Sequence, residues 1–194
     1  MPKIKIYLSL LMLVIITGCT HQITMSPDLS VIRSDDTIKS STNVGYYISP
    51  ADLNTEVESP GGGGDDISYF PYKDTEIALK TILSQKFNKV YGLKSKDNDP
   101  LIKNKNIKFI FSPKIKTDSS SESAFTWPPT DFTVELTCIA YSPDGKQIWK
   151  ETVTGKGHAE YGDFMNDFSM SAKRASQLAF TIMRDKILSS DVLK

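Results

Sequence analysis

The feature that most constrains the fold is a stretch of strict alternation over residues 132–141, followed at once by a turn signal. Every second side chain in this stretch is apolar: Phe132, Val134, Leu136, Cys138 and Ala140. Because successive side chains of a strand point to opposite faces, these five share one buried face. The next residues are Ser142-Pro143-Asp144-Gly145, a sequence typical of a tight turn. The pattern therefore predicts an antiparallel hairpin in which residues 146–155 return beside residues 132–141.

Two other segments repeat apolar residues at helical spacing. The first, residues 75–90, is predicted to begin after an Asp74 N-cap and to end at Gly92. Its apolar face consists of Leu79, Ile82, Leu83, Phe87 and Val90, and the side chains pointing away from that face are Lys80, Gln85 and Lys89. The second helix is predicted over residues 167–188. Its inner stripe is Phe168, Ala172, Ala175, Ala179 and Ile182, whose alanines allow close approach to a sheet or to another subunit.

The remaining strands are predicted at residues 44–48 and 107–116, which are rich in β-branched and aromatic side chains. Residues 49–66, between the first of these strands and the first helix, are predicted to form a loop because they contain prolines and the four glycines 61–64. The order strand, helix, three strands, helix predicts an α+β fold. We expect an antiparallel β-sheet of about four strands with two amphipathic helices packed on one face, forming a single domain over residues 44–194.

The N-terminus has the pattern of a secretory signal. Lys3 and Lys5 are followed by eleven uncharged residues, 6–16, too few for a transmembrane helix, which needs about 20. The next residues, Ile16-Thr17-Gly18-Cys19, resemble the lipobox of bacterial lipoproteins. The resemblance implies a signal peptide over residues 1–18, cleavage between Gly18 and Cys19, and transfer of diacylglycerol to the Cys19 thiol, with fatty acids such as palmitate as the membrane anchor. An ordinary signal peptide with a chance cysteine remains the alternative.

The lipobox resemblance also predicts a location. Thr20 follows the cysteine where an aspartate would favour retention in the inner membrane, so we expect sorting to the outer membrane. The domain would face the periplasm, with the cell surface as the open alternative. Residues 19–43 are polar and are predicted to form a flexible tether between the lipidated Cys19 and the domain.

Charge and composition point away from nucleic acid and from catalysis. Residues 19–194 carry 21 basic and 23 acidic side chains, a net charge of −2, without the basic excess of a nucleic-acid-binding protein. The chain has two histidines, His21 and His158, and neither has a second histidine or a cysteine at metal-ligand spacing. If Cys19 is acylated, Cys138 has no disulfide partner and is expected to be a buried apolar residue. We expect no enzyme activity, no metal and no cofactor.

The layout over residues 44–188 resembles the YajG-like group of bacterial lipoproteins. The shared features are the lipobox, the strand containing Lys108-Phe-Ile-Phe-Ser112, the turn at Asp144-Gly145-Lys146, the glycine-containing segment 155–162 and the alanine-rich last helix. The resemblance implies an outer-membrane lipoprotein without enzyme activity. We expect a structural, assembly or accessory role in the cell envelope, through contact with envelope proteins or self-association. Phe125 and Trp127, aromatic residues in a polar loop, are the candidate contact residues.

A second resemblance concerns residues 157–178. Gly157-His-Ala-Glu-Tyr-Gly162, followed by a helix containing Arg174, is similar to the OmpA-like peptidoglycan-binding motif. That resemblance implies that Glu160 and Arg174 would grip the ionic ends of a diaminopimelate residue in the wall peptide. Peptidoglycan binding through these two residues is therefore the alternative function.

Overall fold

The structure is a computed structural model that describes residues 20–33, 39–60, 65–121 and 128–194. The strands in these ranges are β1 (Thr20–Gln22), β2 (Ser40–Tyr46), β3 (Val57–Pro60), β4 (Asp66–Tyr69), β5 (Phe87–Gly92), β6 (Ile107–Ser120), β7 (Asp131–Tyr141) and β8 (Gln147–His158). The helices are α1 (Leu29–Ile32), α2 (Pro50–Leu53), α3 (Pro71–Lys86), α4 (Pro100–Asn104), α5 (Tyr161–Phe164) and α6 (Met170–Ser189). Within the described ranges, no helix is long and apolar enough to cross a bilayer.

The strands form two sheets. The larger has five strands in the order β5-β2-β6-β7-β8, and the smaller has three in the order β1-β4-β3. The predicted α+β class is confirmed. The sheet is mixed, however, and the prediction of a purely antiparallel sheet was wrong: β2 runs parallel to both β5 and β6. Helices α3 and α4 lie between these strands in the chain and return it to the same end of the sheet, which is the connection that parallel strands need.

The predicted hairpin is confirmed as β7 and β8. The amide of Gly145 donates to the Ser142 carbonyl over 2.9 Å. Gly145 has a φ of +85°, a conformation that glycine adopts without strain. The register shifts by one residue beside the turn, where Ala140 opposes Trp149 but Tyr141 opposes Gln147. Ile148 is the extra residue on β8 at this shift, which is a bulge close to the hairpin turn.

The core lies between the larger sheet and the helices α3 and α6. The five alternating side chains of β7 are at most 1% exposed, as predicted: Phe132, Val134, Leu136, Cys138 and Ala140. The three alanines of α6 are fully buried, also as predicted. Phe168 does not belong to this stripe. It is 51% exposed, because α6 begins at Met170 and the preceding residues form a separate turn.

Two glycines of β8 let α6 lie directly on the sheet. A Cβ placed on Gly155 would lie 2.1 Å from the carbonyl oxygen of Ala175, and one on Gly157 would lie 2.1 Å from that of Ser171. Both contacts are to helix backbone, which cannot turn away as a side chain could. The glycines and the small residues of α6 therefore set the helix-to-sheet distance together.

The segment predicted to be a tether is packed against the domain where the structure describes it. Thr20 pairs with Asp66 in the parallel contact of β1 with β4. Met25 and Ile32 are fully buried in the main core. The prediction of a flexible tether over residues 19–43 was therefore wrong for residues 20–33, since isolated apolar residues in a polar segment are enough to dock it. It was also wrong for residues 40–43, which belong to β2 in the larger sheet.

Docking of this segment changes the role of Asp74. Its carboxylate accepts a hydrogen bond from the Met25 amide over 2.9 Å, and burial raises its pKa. The predicted N-cap at Asp74 was wrong, because α3 starts earlier, at Pro71. The proline fits this first position, since its missing N–H would have no partner there.

Two polar residues at the end of α3 are also buried by neighbouring segments. Gln85, predicted to face away from the core, is buried and its side-chain nitrogen donates to the Ile32 carbonyl over 3.1 Å. The ammonium of Lys86 donates to the carbonyls of Ile187, Leu188 and Ser190, at 2.8, 3.2 and 2.6 Å. Lys86 thereby satisfies the free carbonyls at the C-terminal end of α6.

The predicted loop over residues 49–66 contains secondary structure. Helix α2, strand β3 and the first residue of β4 all fall within it, and β3 pairs antiparallel with β4. The four glycines 61–64 lie outside the described residues. The loop prediction was therefore wrong for α2 and for the two strands, which belong to the smaller sheet.

Cys138 gives a direct test of core packing. It is a free cysteine with no exposed surface, and burial raises the pKa of its thiol to about 12. Compared with the ordinary value of 9.0, this reduces the thiolate fraction about a thousandfold. We expect Cys138 to resist Ellman's reagent in the folded Cys19→Ser variant at pH 8 and to react fully after unfolding in urea. Rapid reaction of the folded chain would contradict this burial.

Candidate functional site

The clearest cluster of ionisable side chains lies where β8 ends. His158, its last residue, is directly opposite Asp131, the first residue of β7. The two ring nitrogens of His158 contact different carboxylates: Nδ1 lies 2.9 Å from Asp131 Oδ1, and Nε2 lies 3.2 Å from Glu160 Oε1. These two hydrogen bonds, that of Asp131 first, raise the pKa of His158 above its ordinary value of 6.5.

Arg174 joins this cluster from helix α6. Its guanidinium donates two hydrogen bonds to Asp163, from Nη1 to Oδ2 over 2.7 Å and from Nη2 to Oδ1 over 3.0 Å. Nη1 also donates to the His158 carbonyl over 2.7 Å. This two-pronged pair is a strong ion-pair geometry, and it lowers the pKa of Asp163. Arg174 thus holds helix α5, helix α6 and the end of β8 together.

Glu160 and Asp163 also fix the start of α5. The Asp163 carboxylate accepts from the Glu160 amide over 3.0 Å, and the Glu160 side chain accepts from the amide of Asp163 in a reciprocal capping box. The Glu160 side chain is 82% exposed. We refer to Asp131, His158, Glu160, Asp163 and Arg174 as the His158 cluster.

The structure thus brings together the two residues proposed to grip peptidoglycan, but in unequal roles. Glu160 faces solvent, whereas the fork of the Arg174 guanidinium is directed at Asp163 within the protein. To bind a ligand carboxylate with the same fork, Arg174 would have to leave Asp163. Arg174 and Asp163 therefore form a structural ion pair, and Glu160 is an exposed acid beside it.

The surface beside the cluster is shallow. A depression of about 260 Å³ is lined by Asp131, Phe132, Thr133, Lys156, Gly157 and His158. This is below the usual size of a small-molecule site, about 300–1,000 Å³. A larger depression, of about 450 Å³, lies beside α4. Its carboxylate, Asp99, is already used by the backbone amides of Lys94 and Leu101. Within the described ranges, no group of three potential ligands is placed to hold a metal ion.

A cluster of exposed apolar side chains follows the His158 cluster in the chain. Tyr161 is 72% exposed, Met165 is 76% exposed and Phe168 is 51% exposed. Large exposed apolar side chains that cluster indicate a contact surface more strongly than scattered ones do. The predicted core position of Phe168 was wrong, and the exposure of Tyr161 and Met165 was not predicted.

The other predicted site residues lie outside the described residues. These are Gly18 and Cys19 at the proposed cleavage and lipidation site, and Phe125 and Trp127 in the proposed contact loop. Asp131 is a further member of the site that was not predicted. The register at the turn, with Tyr141 opposite Gln147, would place Asp131 opposite Gly157, and the register shift between Ala140 and Tyr141 brings it opposite His158 instead.

The pKa of His158 is a testable property of the cluster. We expect an NMR titration to give a value above 6.5, and Asp131→Asn to lower it, because the largest cause is removed. Since the folded-state pKa is raised, the cluster contributes stability below the unfolded-state pKa and loses it as the pH rises through the folded-state value. Asp144→Asn, at the distant hairpin turn, is the matched control. An unchanged His158 pKa in Asp131→Asn would contradict the hydrogen bond.

Comparisons with known proteins found similar solved structures but no matching family or curated protein. No protein-family model and no curated protein matches the sequence. Among solved structures, it is similar to protein XCC0632 of the DUF330 family from Xanthomonas campestris, with 10% identity and a TM-score of 0.41 over 88% of this chain and 96% of that one. It is also similar to a PelC dodecamer variant from Paraburkholderia phytofirmans, with 16% identity and a TM-score of 0.39 over 76% and 94%.

Proposed function

We propose that this protein is a lipid-anchored lipoprotein of the outer membrane that faces the periplasm. Its role is structural, assembly-related or accessory, without catalysis, and it acts through protein–protein contact. The observation that carries the proposal is the sequence Ile16-Thr17-Gly18-Cys19 at the end of an uncharged run. The YajG-like resemblance over residues 44–188 belongs to the same proposal.

The described chain shows what a lipid on Cys19 would be joined to. Strand β1, whose first residue is Thr20, pairs through its three residues with β4. A lipid on Cys19 would therefore be attached next to a strand that is held against the domain.

The free edge of β8 supports a role in protein contact. Among the described strands, β8 pairs with β7 alone and lies at the end of the larger sheet. An edge strand presents unpaired backbone amides and carbonyls, which can pair with another chain. Thr152 and Thr154 are exposed on the face of β8 turned away from α6. This edge is the surface we propose for contact with an envelope protein or a second copy.

Fractionation of cells tests the anchor. We expect the full chain in a Gram-negative host to sediment with outer membranes and to resist extraction by salt. Cys19→Ser should shift it to the soluble periplasmic fraction, because the thiol that receives the lipid is removed. Equal distribution of the two proteins would contradict the proposal.

Site-specific crosslinking tests the contact surface. A photoreactive residue replacing Thr154 should give a defined adduct with an envelope protein or with a second copy. The same residue replacing Lys80, an exposed position on α3, is the control and should give none. Recovery of monomer alone from both positions would count against contact through the β8 edge.

Sedimentation with purified sacculi separates this proposal from peptidoglycan binding. Because Arg174 is engaged by Asp163, we expect the protein to remain in the supernatant. Co-sedimentation that is lost in Glu160→Ala would instead establish the wall peptide as a ligand and overturn the protein-contact role.

A further inference from the structure

Three exposed apolar side chains lie close together in the chain after β8, and we call them the apolar patch: Tyr161, Met165 and Phe168. Tyr161 and Met165 lie four residues apart in a helical turn, so they share one face. Phe164, in the same turn, is 4% exposed and belongs to the core. Phe164 therefore fixes the turn to the domain, while Tyr161 and Met165 stay exposed to solvent.

The apolar patch is tied to the N-terminal segment. Ser169, the residue after Phe168, accepts a hydrogen bond on its Oγ from the Thr24 amide over 3.1 Å. Thr24 is five residues from Cys19, a span of at most about 18 Å even when fully extended. The intervening strand β1 is paired with β4, so the chain between Cys19 and the patch is held against the domain.

Two acidic residues near the apolar patch are held in ion pairs with basic side chains. Asp163 is paired with Arg174, and Asp167 accepts from the Lys173 ammonium over 2.6 Å. Glu160 contacts His158 but is 82% exposed. Carboxylates that are already paired lose less solvation energy when they approach lipid headgroups than free carboxylates do.

We propose that the apolar patch enters the headgroup region of the membrane that holds the lipidated Cys19. The inference rests on the proposed function, because the lipid at Cys19 brings the bilayer to this side of the domain. Amphipathic aromatic side chains such as Tyr161 are enriched at membrane interfaces, and apolar side chains strengthen the attachment of an anchored protein. The mature domain is therefore held in one orientation on the bilayer by two contacts, the lipid and the patch.

Spin labelling of the lipidated full-length protein, reconstituted in phosphatidylethanolamine and phosphatidylglycerol vesicles, tests the proposal. A label is attached through Met165→Cys, and the control is Ile77→Cys, an exposed apolar position on α3. Cys138 is fully buried and stays unlabelled, and an acylated Cys19 has no free thiol. We expect a water-soluble nickel complex to collide with the label at 165 about tenfold less often than with the label at 77. Burial of one apolar side chain favours the membrane-inserted state over the exposed state by about this factor. Oxygen, which dissolves in lipid, should reach the label at 165 readily.

Each other outcome overturns the inference in a distinguishable way. If the protein floats with vesicles and the label at 165 is as accessible to nickel as that at 77, the patch does not contact lipid although the anchor stands. If the label at 165 is shielded from both reagents and shows dipolar broadening that unlabelled chains remove, a second copy covers the patch. If the protein neither carries an acyl mass at Cys19 nor floats, the proposed function itself fails, and the inference fails with it.

Discussion

Gly157→Ala is expected to lower the free energy of unfolding by about 3 kcal/mol, the upper end of what overpacking usually costs. The new Cβ would lie 2.1 Å from the Ser171 carbonyl oxygen and 2.4 Å from the Ala175 amide nitrogen. Both atoms belong to the backbone of α6, so relief requires the helix to move away from β8. Urea unfolding, followed by circular dichroism of the Cys19→Ser variant, measures the change.

The matched control is Gly162→Ala. Nothing lies within 4 Å of a Cβ at Gly162, so the same chemical change should leave stability within about 0.5 kcal/mol. An equal effect of the two substitutions would contradict the close packing of α6 on β8.

Lys86→Met is expected to cost about 3 kcal/mol, because three carbonyls at the end of α6 lose a charged donor. Methionine keeps the apolar length of the side chain, so the loss reports on the hydrogen bonds more than on packing. Lys80→Met, at an exposed position of the same helix, is the control and should change stability little. The same urea measurement applies. A stable Lys86→Met variant would show that water replaces the ammonium at these carbonyls.

The parts of the fold that were predictable are those with a local periodic signal. The alternation in β7 and the turn at Gly145 specify the hairpin and which side chains it buries. The alanines of α6 likewise predicted close helix packing. The glycines at 155 and 157, which oppose them, complete that contact.

Elements that depend on distant contacts were missed. Strand β5 was read as part of a helix because Phe87 and Val90 continue the helical spacing of α3. Its pairing with β2 outweighs that local pattern. Residues 20–33 were read as a tether because their composition is polar, yet Met25 and Ile32 enter the core. A short segment gives no periodic signal in the sequence. Whether it packs against the domain depends on the apolar surface that distant residues offer it.

The candidate site was predictable in part. The segment from Gly157 to Gly162 and the start of α6 resemble a known binding motif, and this resemblance predicted a shared role for Glu160 and Arg174. The two residues do lie in one cluster. The ion pair of Arg174 with Asp163 could not be read from the sequence, because it depends on the turn that α5 makes between the two residues. The exposure of Tyr161 and Met165 follows from the same turn.

The mass of the N-terminal peptide of the mature protein, purified from outer membranes, tests the account most directly. We predict a peptide that begins at Cys19 and carries a diacylglyceryl group on its thiol and an acyl chain on its new amino group. An N-terminus at any other residue, or an unmodified Cys19, would contradict the lipid anchor and the orientation of the domain proposed from it.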